Sequence, residues 1–325
     1  MDRSGRRPDP MARTAPSENL MKPRPPSAHC TPLDVEDAGS IATTPLPKTA
    51  VDDALRAALS SPHFDGPSIL PSPSERAGRG VVVAARTVAK VAHWQHERLE
   101  SVQWLAGLGD TLEVRTPAVL DAGVVGTDAG PVWWTVCSRL VGTVEPGPTP
   151  ERQREVGKIL RRWHDRVAVP VGLHIDDPGG LGVLLGTARA LKPTTFHFLA
   201  AALDEVCAGL PVVAIHGDFA VGKNTVFSGN RLVGVLDPGA VHAAPAMLDL
   251  AWAYAVDSPR GGRLAPLLEG YGQDGVEVAH LEALIPLLLL RRWVDLSHRP
   301  DKHEARALSD EIVVRDGSLR PFVVT

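Results

Sequence analysis

Cysteine is scarce in this 325-residue chain: Cys30, Cys137 and Cys207 stand far apart and form no C-x-x-C pair. A scattered, odd set of this kind excludes a disulfide framework and suits a reducing compartment. Long apolar runs are also lacking. The most apolar stretch, LEALIPLLLL (281–290), is ten residues long and runs into Arg291 and Arg292. A membrane span needs roughly twenty apolar residues, so this stretch reads as a buried helix and no membrane partner is expected. Neither sign of charge dominates. A formal net charge of -4 gives no reason to expect nucleic acid or an anionic surface as partner. The opening residues MDRSGRRPDPMARTAPS carry arginines with no apolar stretch behind them. They do not read as a secretory signal, and the expected location is cytoplasmic.

What is present is the composition of a globular protein, 44% hydrophobic and 22% charged, with length enough for one large domain or two lobes. Residues 1–47 are rich in Pro, Ser, Arg and Thr without hydrophobic periodicity, which predicts a disordered tail. Residues 48–141 read as a β-rich lobe opened by a short helix over 51–60. Strands are expected in GRGVVVAARTVAKVA (78–92), TPAVLDAG and GPVWWTVCSRLVG, with one helix over 96–109 between them. Residues 142–325 read as mainly helical. Thr149 and Pro150 suit the cap and first position of a helix that places Ile159, Leu160 and Trp163 on one face. Further helices are expected at 193–209, 245–256, 262–271, 278–298 (with Pro286 inside) and 302–312. In this half β signal surrounds only PVVAI, NTVF and RLVGVLD.

Those three stretches enclose IHGDFAVGKNT (215–225), which admits two readings. From Gly217 it spells G-x-x-x-x-G-K, the opening of a phosphate-cradling P-loop. A P-loop needs Ser or Thr after its lysine and a helix behind it. Here Asn224 follows Lys223, and NTVFSGNRLVGVLD is patterned as a β-hairpin. From His216 the same stretch spells H-G-D with an asparagine behind, the catalytic loop of a kinase-like phosphotransferase. Phosphoryl transfer requires a carboxylate to orient the acceptor hydroxyl, oxygen ligands for Mg²⁺ and a cation on the nucleotide phosphates. The hairpin folds Asp237 back beside Asn224, although thirteen residues separate them.

The ordered set HGDFAVGKNTVFSGNRLVGVLDPGAVHAAPAMLDLAWAY resembles the core of the aminoglycoside phosphotransferase and choline kinase superfamily. The resemblance implies a bilobal α+β protein-kinase-like fold. It implies Asp218 as catalytic base, Asn224 and Asp237 as Mg²⁺ ligands, and His216 and Asp249 as supports of the catalytic loop. More softly, VAKVA resembles the strand bearing the lysine that contacts nucleotide phosphates, which would be Lys90. Its partner would be Glu97, with Glu100 as competitor. PVWWTVCSRLVG resembles the adenine-contacting strand and hinge, and GKILRRWHD the helix that the family ends in Leu-His. The implied substrates are ATP, with GTP as an alternative, and a small-molecule hydroxyl. The chain departs from the pattern in one place: the family's asparagine stands five residues after the aspartate, and here that position is Lys223. Either the loop carries one extra residue, or a lysine occupies the metal-ligand position and the protein binds without catalysing.

Blander readings accompany each assignment. Asp218 and Asp237 are residue types that also end strands and make turns. A lysine on a strand such as Lys90 is more often solvent-facing, though the downstream motif favours its functional reading; Lys223 reads most simply as a solvated loop lysine within reach of a phosphate, and Arg291 and Arg292 as a solvated helix end. Trp252, Tyr254 and Trp293 read as core rather than as an aromatic cage for a quaternary amine. His93 and His96 lack a third metal ligand.

Overall fold

The computed structural model describes residues 46–66, 80–91, 99–168, 210–237, 241–272, 276 and 278–297. Residues 1–45 of the tail expected over 1–47, His93, His96 and Glu97, and the helices predicted at 193–209 and 302–312 lie outside them.

The chain enters the described fold at Leu46, which is buried, and runs into α1 (Lys48–Leu59). This helix buries Ala50, Val51, Ala54 and Ala58, a stripe of small side chains that lets it lie close against a sheet. That sheet contains β1 (Val81–Val83), β2 (Thr87–Val91), β3 (Val119–Thr127) and β4 (Gly130–Ser138) in the order β1-β2-β4-β3, all antiparallel. Lys90 sits on β2 opposite Thr135 of β4. Two short helices, α2 (Leu99–Ala106) and α3 (Gly109–Leu112), lie between the sheet's halves in sequence.

Beyond the short β5 (Thr143–Val144), α4 (Pro150–Arg166) begins as its sequence predicts. Thr149 is extended, and its hydroxyl accepts from the Arg152 amide at 3.3 Å. α4 buries Val156, Ile159, Leu160 and Trp163 in the main core. Strands β7 (Thr225–Ser228) and β8 (Arg231–Val235) form the predicted hairpin through Gly229 and Asn230, with Gly229 at φ +61°.

One prediction is corrected here. The helix expected over 245–256 does not begin at Pro245: residues 242–245 form β9 (His242–Pro245), antiparallel to β6 (Val212–Ile215). The alanines and proline of HAAP carry no β-propensity, so this strand exists through its long-range partner rather than through its own residues. The helix starts two residues later, as α5 (Met247–Asp257), followed by a 3-10 turn Ser258–Arg260, α6 (Leu264–Tyr271) and α7 (Val278–Ser297). Every residue of α5 is buried, including two aspartates, which marks it as the helix around which the site is built. Among the described residues no helix is long and apolar enough to cross a membrane.

Candidate active site

The loop between β6 and β7 is held from below by α5. Asp249 is fully buried and accepts the backbone amides of His216 (2.8 Å) and Gly217 (2.7 Å), the first two residues of H-G-D. It also accepts from His164 Nε2 at 3.1 Å, while His164 Nδ1 meets the Tyr271 hydroxyl at 2.9 Å. This fits the neutral Nε2–H tautomer, with Tyr271 donating. Burial alone would raise the Asp249 carboxyl. The hydrogen bond from His164, with the further interactions of His164 and His216, outweighs it and holds the group below the ordinary carboxylate range. Burial pushes the Tyr271 hydroxyl up to about 12, so it stays a donor. His216 is itself buried and reaches the Leu236 carbonyl through Nε2 (3.1 Å), tying the loop to the end of β8.

The far end of the same loop is held by a second carboxylate. Asp257, two turns further along α5, accepts the amides of Val221 (3.3 Å) and Gly222 (3.0 Å). Arg260 Nη2 lies 3.4 Å from it, and its guanidinium packs against Gly222 where a side chain would otherwise stand. Burial pushes the Asp257 carboxyl up to about 6, against the pull of the two amides, Arg260 and Arg292. Between these two anchors Ala220 and Lys223 exchange backbone hydrogen bonds (3.0 and 3.1 Å), closing a tight turn over Val221 and Gly222.

That turn delivers Lys223 and Asn224 to Asp218. Asp218 Oδ1 accepts from Trp252 Nε1 (3.0 Å) and pairs with Lys223 Nζ (2.8 Å). Asn224, at φ +59°, donates Nδ2 to the Asp218 carbonyl (2.8 Å) and to Oδ2 (3.2 Å). Its own amide reaches Glu145 Oε1 at 3.3 Å. The Leu236 amide donates to the Asn224 carbonyl (2.9 Å), which sets Asp237 beside it. Asp237 Oδ1 lies 2.9 Å from Lys90 Nζ, so a residue of the first sheet meets the end of the hairpin 147 residues later.

His216, Asp218, Asn224, Asp237, Asp249 and Lys90 thus come together. Glu97 lies outside the described residues and the side chain of Glu100 is not described, so the contact defined for Lys90 is Asp237. Two bland readings are corrected and a third holds. Lys223 is not a free loop lysine but an ion-pair partner of Asp218. Arg292 is buried, and Arg291 stacks over the Trp252 ring at 4.2 Å, so the end of LEALIPLLLL is no simple exposed face. Trp252 and Tyr254 are buried, as core residues, though Trp252 also works through its N–H. Sequence reasoning missed Asp257, Glu145, His164 and the Trp252 donor. The signals within reach were the histidine of GKILRRWHD, which is His164, and the repeat of Asp at 249 and 257 on one helix.

A β-sheet portion followed by a helical one, with a loop between a sheet strand and a hairpin cradled by buried carboxylates, is the protein-kinase-like α+β fold. The chain belongs to the phosphotransferase enzyme family, whose model matches residues 81–283, more than half its length. Among solved structures it resembles an aminoglycoside-3'-phosphotransferase of type VIII, at TM-score 0.55 and 21% identity, over 75% of this chain and 98% of that one. A choline/ethanolamine kinase family protein from Mesorhizobium loti matches at TM-score 0.55 and 18% identity, over 83% and 93%. APH(2'') in complex with GDP and kanamycin matches at TM-score 0.52 and 14% identity, over 73% and 89%. No curated protein matches the sequence.

Proposed function

We propose that this phosphotransferase moves the γ-phosphoryl group of ATP to a hydroxyl of a small molecule, with Asp218 as the base. The observation that carries the reading is the hydrogen-bond occupancy of Asp218. Among the described residues, Oδ1 is saturated by Trp252 and Lys223, whereas Oδ2 takes a single donor, Asn224. A carboxylate oxygen accepts two, so Oδ2 keeps one position for an incoming hydroxyl. The hydroxyl gives its proton to Oδ2 as its oxygen bonds to the γ-phosphorus. The bond from that phosphorus to the bridging oxygen breaks, and its electron pair leaves with ADP.

Asn224 and Asp237 are the oxygen ligands this reading assigns to Mg²⁺. Asn224 spends Nδ2 on Asp218 and so leaves Oδ1 as the donor atom for a metal, and oxygen donors suit this hard cation. When bound, Mg²⁺ offsets the charge of the nucleotide phosphates. Lys90, beside Asp237, is placed to steady the same phosphates. The extra residue before Asn224 is taken up in the Ala220–Lys223 turn, which supports Asn224 rather than Lys223 as ligand. GDP in the resembling APH(2'') complex keeps GTP as the alternative nucleotide. The reading places the β-rich lobe over 48–141 and the helical lobe, with the acceptor site, over 142–325.

A second reading, nucleotide binding without transfer, draws on the Lys223–Asp218 pair, since a cation bound to the base opposes proton uptake. Asp218→Asn separates the two. Under transfer it lowers kcat by about 10²–10⁴ while Mg·ATP still binds. ADP release that is equal in wild type and variant would sink the base assignment.

A further inference from the structure

We infer, resting on the transfer reading above, that the acceptor carries an anionic group, a carboxylate or a phosphate, beside the hydroxyl it presents to Asp218. Two cationic side chains stand about the base, one on the carboxylate itself and one on the indole that donates to it. Lys223 Nζ lies 2.8 Å from Asp218 Oδ1 and 5.4 Å from the centre of the Trp252 ring. Arg291 Cζ lies 4.2 Å from the same ring centre, and Trp252 Nε1 is bonded to Asp218. One indole thus links two cations to the base.

Neither cation is spent elsewhere. Among the described residues no carboxylate pairs with Arg291, and Lys223 pairs with Asp218 alone. Of the nearby carboxylates, Asp257 is occupied by loop amides and Arg260, Glu145 by the Asn224 amide, and Asp237 by Lys90. An amino sugar or a quaternary amine brought to this base would meet two like charges. An anion would meet a guanidinium, whose planar fork binds carboxylate or phosphate bidentately, and a lysine able to exchange one anion for another. When Lys223 moves to the acceptor's anion, Asp218 keeps the Trp252 N–H and gains the hydroxyl.

The test uses full-length protein loaded with Mg²⁺ and a non-hydrolysable ATP analogue, titrated calorimetrically. Glycerate and glucose 1-phosphate are the anionic probes, kanamycin and choline the cationic ones. At least one anion is expected to bind, about tenfold or more tighter than either cation, with Arg291→Gln and Lys223→Met each weakening it about tenfold. Arg291→Glu is expected to reverse the preference. Glycerate alone would identify a carboxylate acceptor and glucose 1-phosphate alone a phosphate. Absence of binding by both anions, tighter binding of a cation, or anion binding unchanged in both Arg291→Gln and Lys223→Met overturns the inference. The two variants lie on different elements, and near-ultraviolet dichroism checks that each is folded. If the nucleotide analogue itself does not bind with Mg²⁺, the transfer reading falls and takes this one with it. If it binds and the cations win, only the charge of the acceptor is wrong.

Discussion

Asp249 and Asp257 share a helix, full burial and two amide donors from one loop, yet their carboxyl groups shift in opposite directions. The difference lies in the third partner. Asp249 has His164 at 3.1 Å, whereas Asp257 has Arg260 at 3.4 Å and the charge of Arg292, and there burial prevails. A folded-state value raised from 3.8 to about 6 means the native state holds a proton that the unfolded chain has already lost. The associated stability is complete below pH 3.8 and is lost as pH rises through about 6, at a cost of roughly 3 kcal/mol. Asp257→Asn cannot ionise, so its stability relative to wild type, from urea unfolding, should climb between those two pH values. A flat difference would show that Asp257 does not titrate there. Trp252→Phe belongs at the same scale. It deletes one donor to Asp218, and kcat should fall about tenfold with little change in the affinity for Mg·ATP. An unchanged kcat would remove Trp252 from the site.

At the scale of elements, the support of the H-G-D loop depends on how closely two helices approach. A Cβ on Gly157 of α4 would strike the backbone of α6 at Leu267 and Tyr271, and one on Gly270 would strike the backbone of α4 at Arg154. These glycines let the helices touch main chain to main chain, which brings His164 within reach of both Tyr271 and Asp249. Backbone cannot swing aside as a side-chain tip can. Gly157→Ala should therefore lose about 1–3 kcal/mol in thermal melting and pull Tyr271 from His164. Wild-type stability in that variant would mean the crossing is looser than described. β9 makes the complementary point about legibility. Helix α4, with its periodic apolar face and the Thr149 cap, is written locally and was readable, as was the hairpin through Ser228–Arg231. HAAP becomes a strand only because β6 lies alongside, and no local pattern announces that.

For the whole molecule, the order of a sheet portion followed by a helical portion, and the convergence of Asp218, Asn224, Asp237 and Asp249, could be read in the sequence because each is tied to a short motif. The Asp257 brace, the Trp252 donor and the Lys223–Asp218 pair could not. They join residues that packing, not spacing, brings together, and a lysine in a loop looks solvated until its neighbours are known. A test at this scale is the response to ligand. Mg·ATP at a hundred times its dissociation constant should stabilise the fold by about 2.7 kcal/mol, raising Tm by several degrees. The shift should require metal and nucleotide together and vanish in Asp237→Ala. A shift with ATP alone, equal in that variant, would contradict the role given to Asp237.

The two carboxylates of α5 also bear on a behaviour loops seldom share. Solvent exchange of an amide proton requires its hydrogen bond to open, and here four loop amides open only if a buried helix lets go of them. The protons of His216, Gly217, Val221 and Gly222 should therefore survive in deuterium oxide about as long as those in the middle of α5. Those of Gly229 and Asn230, at the hairpin tip, should be gone early. A segment without regular secondary structure would then date from the same cooperative unit as the most buried helix in the molecule, and would loosen only when that helix does.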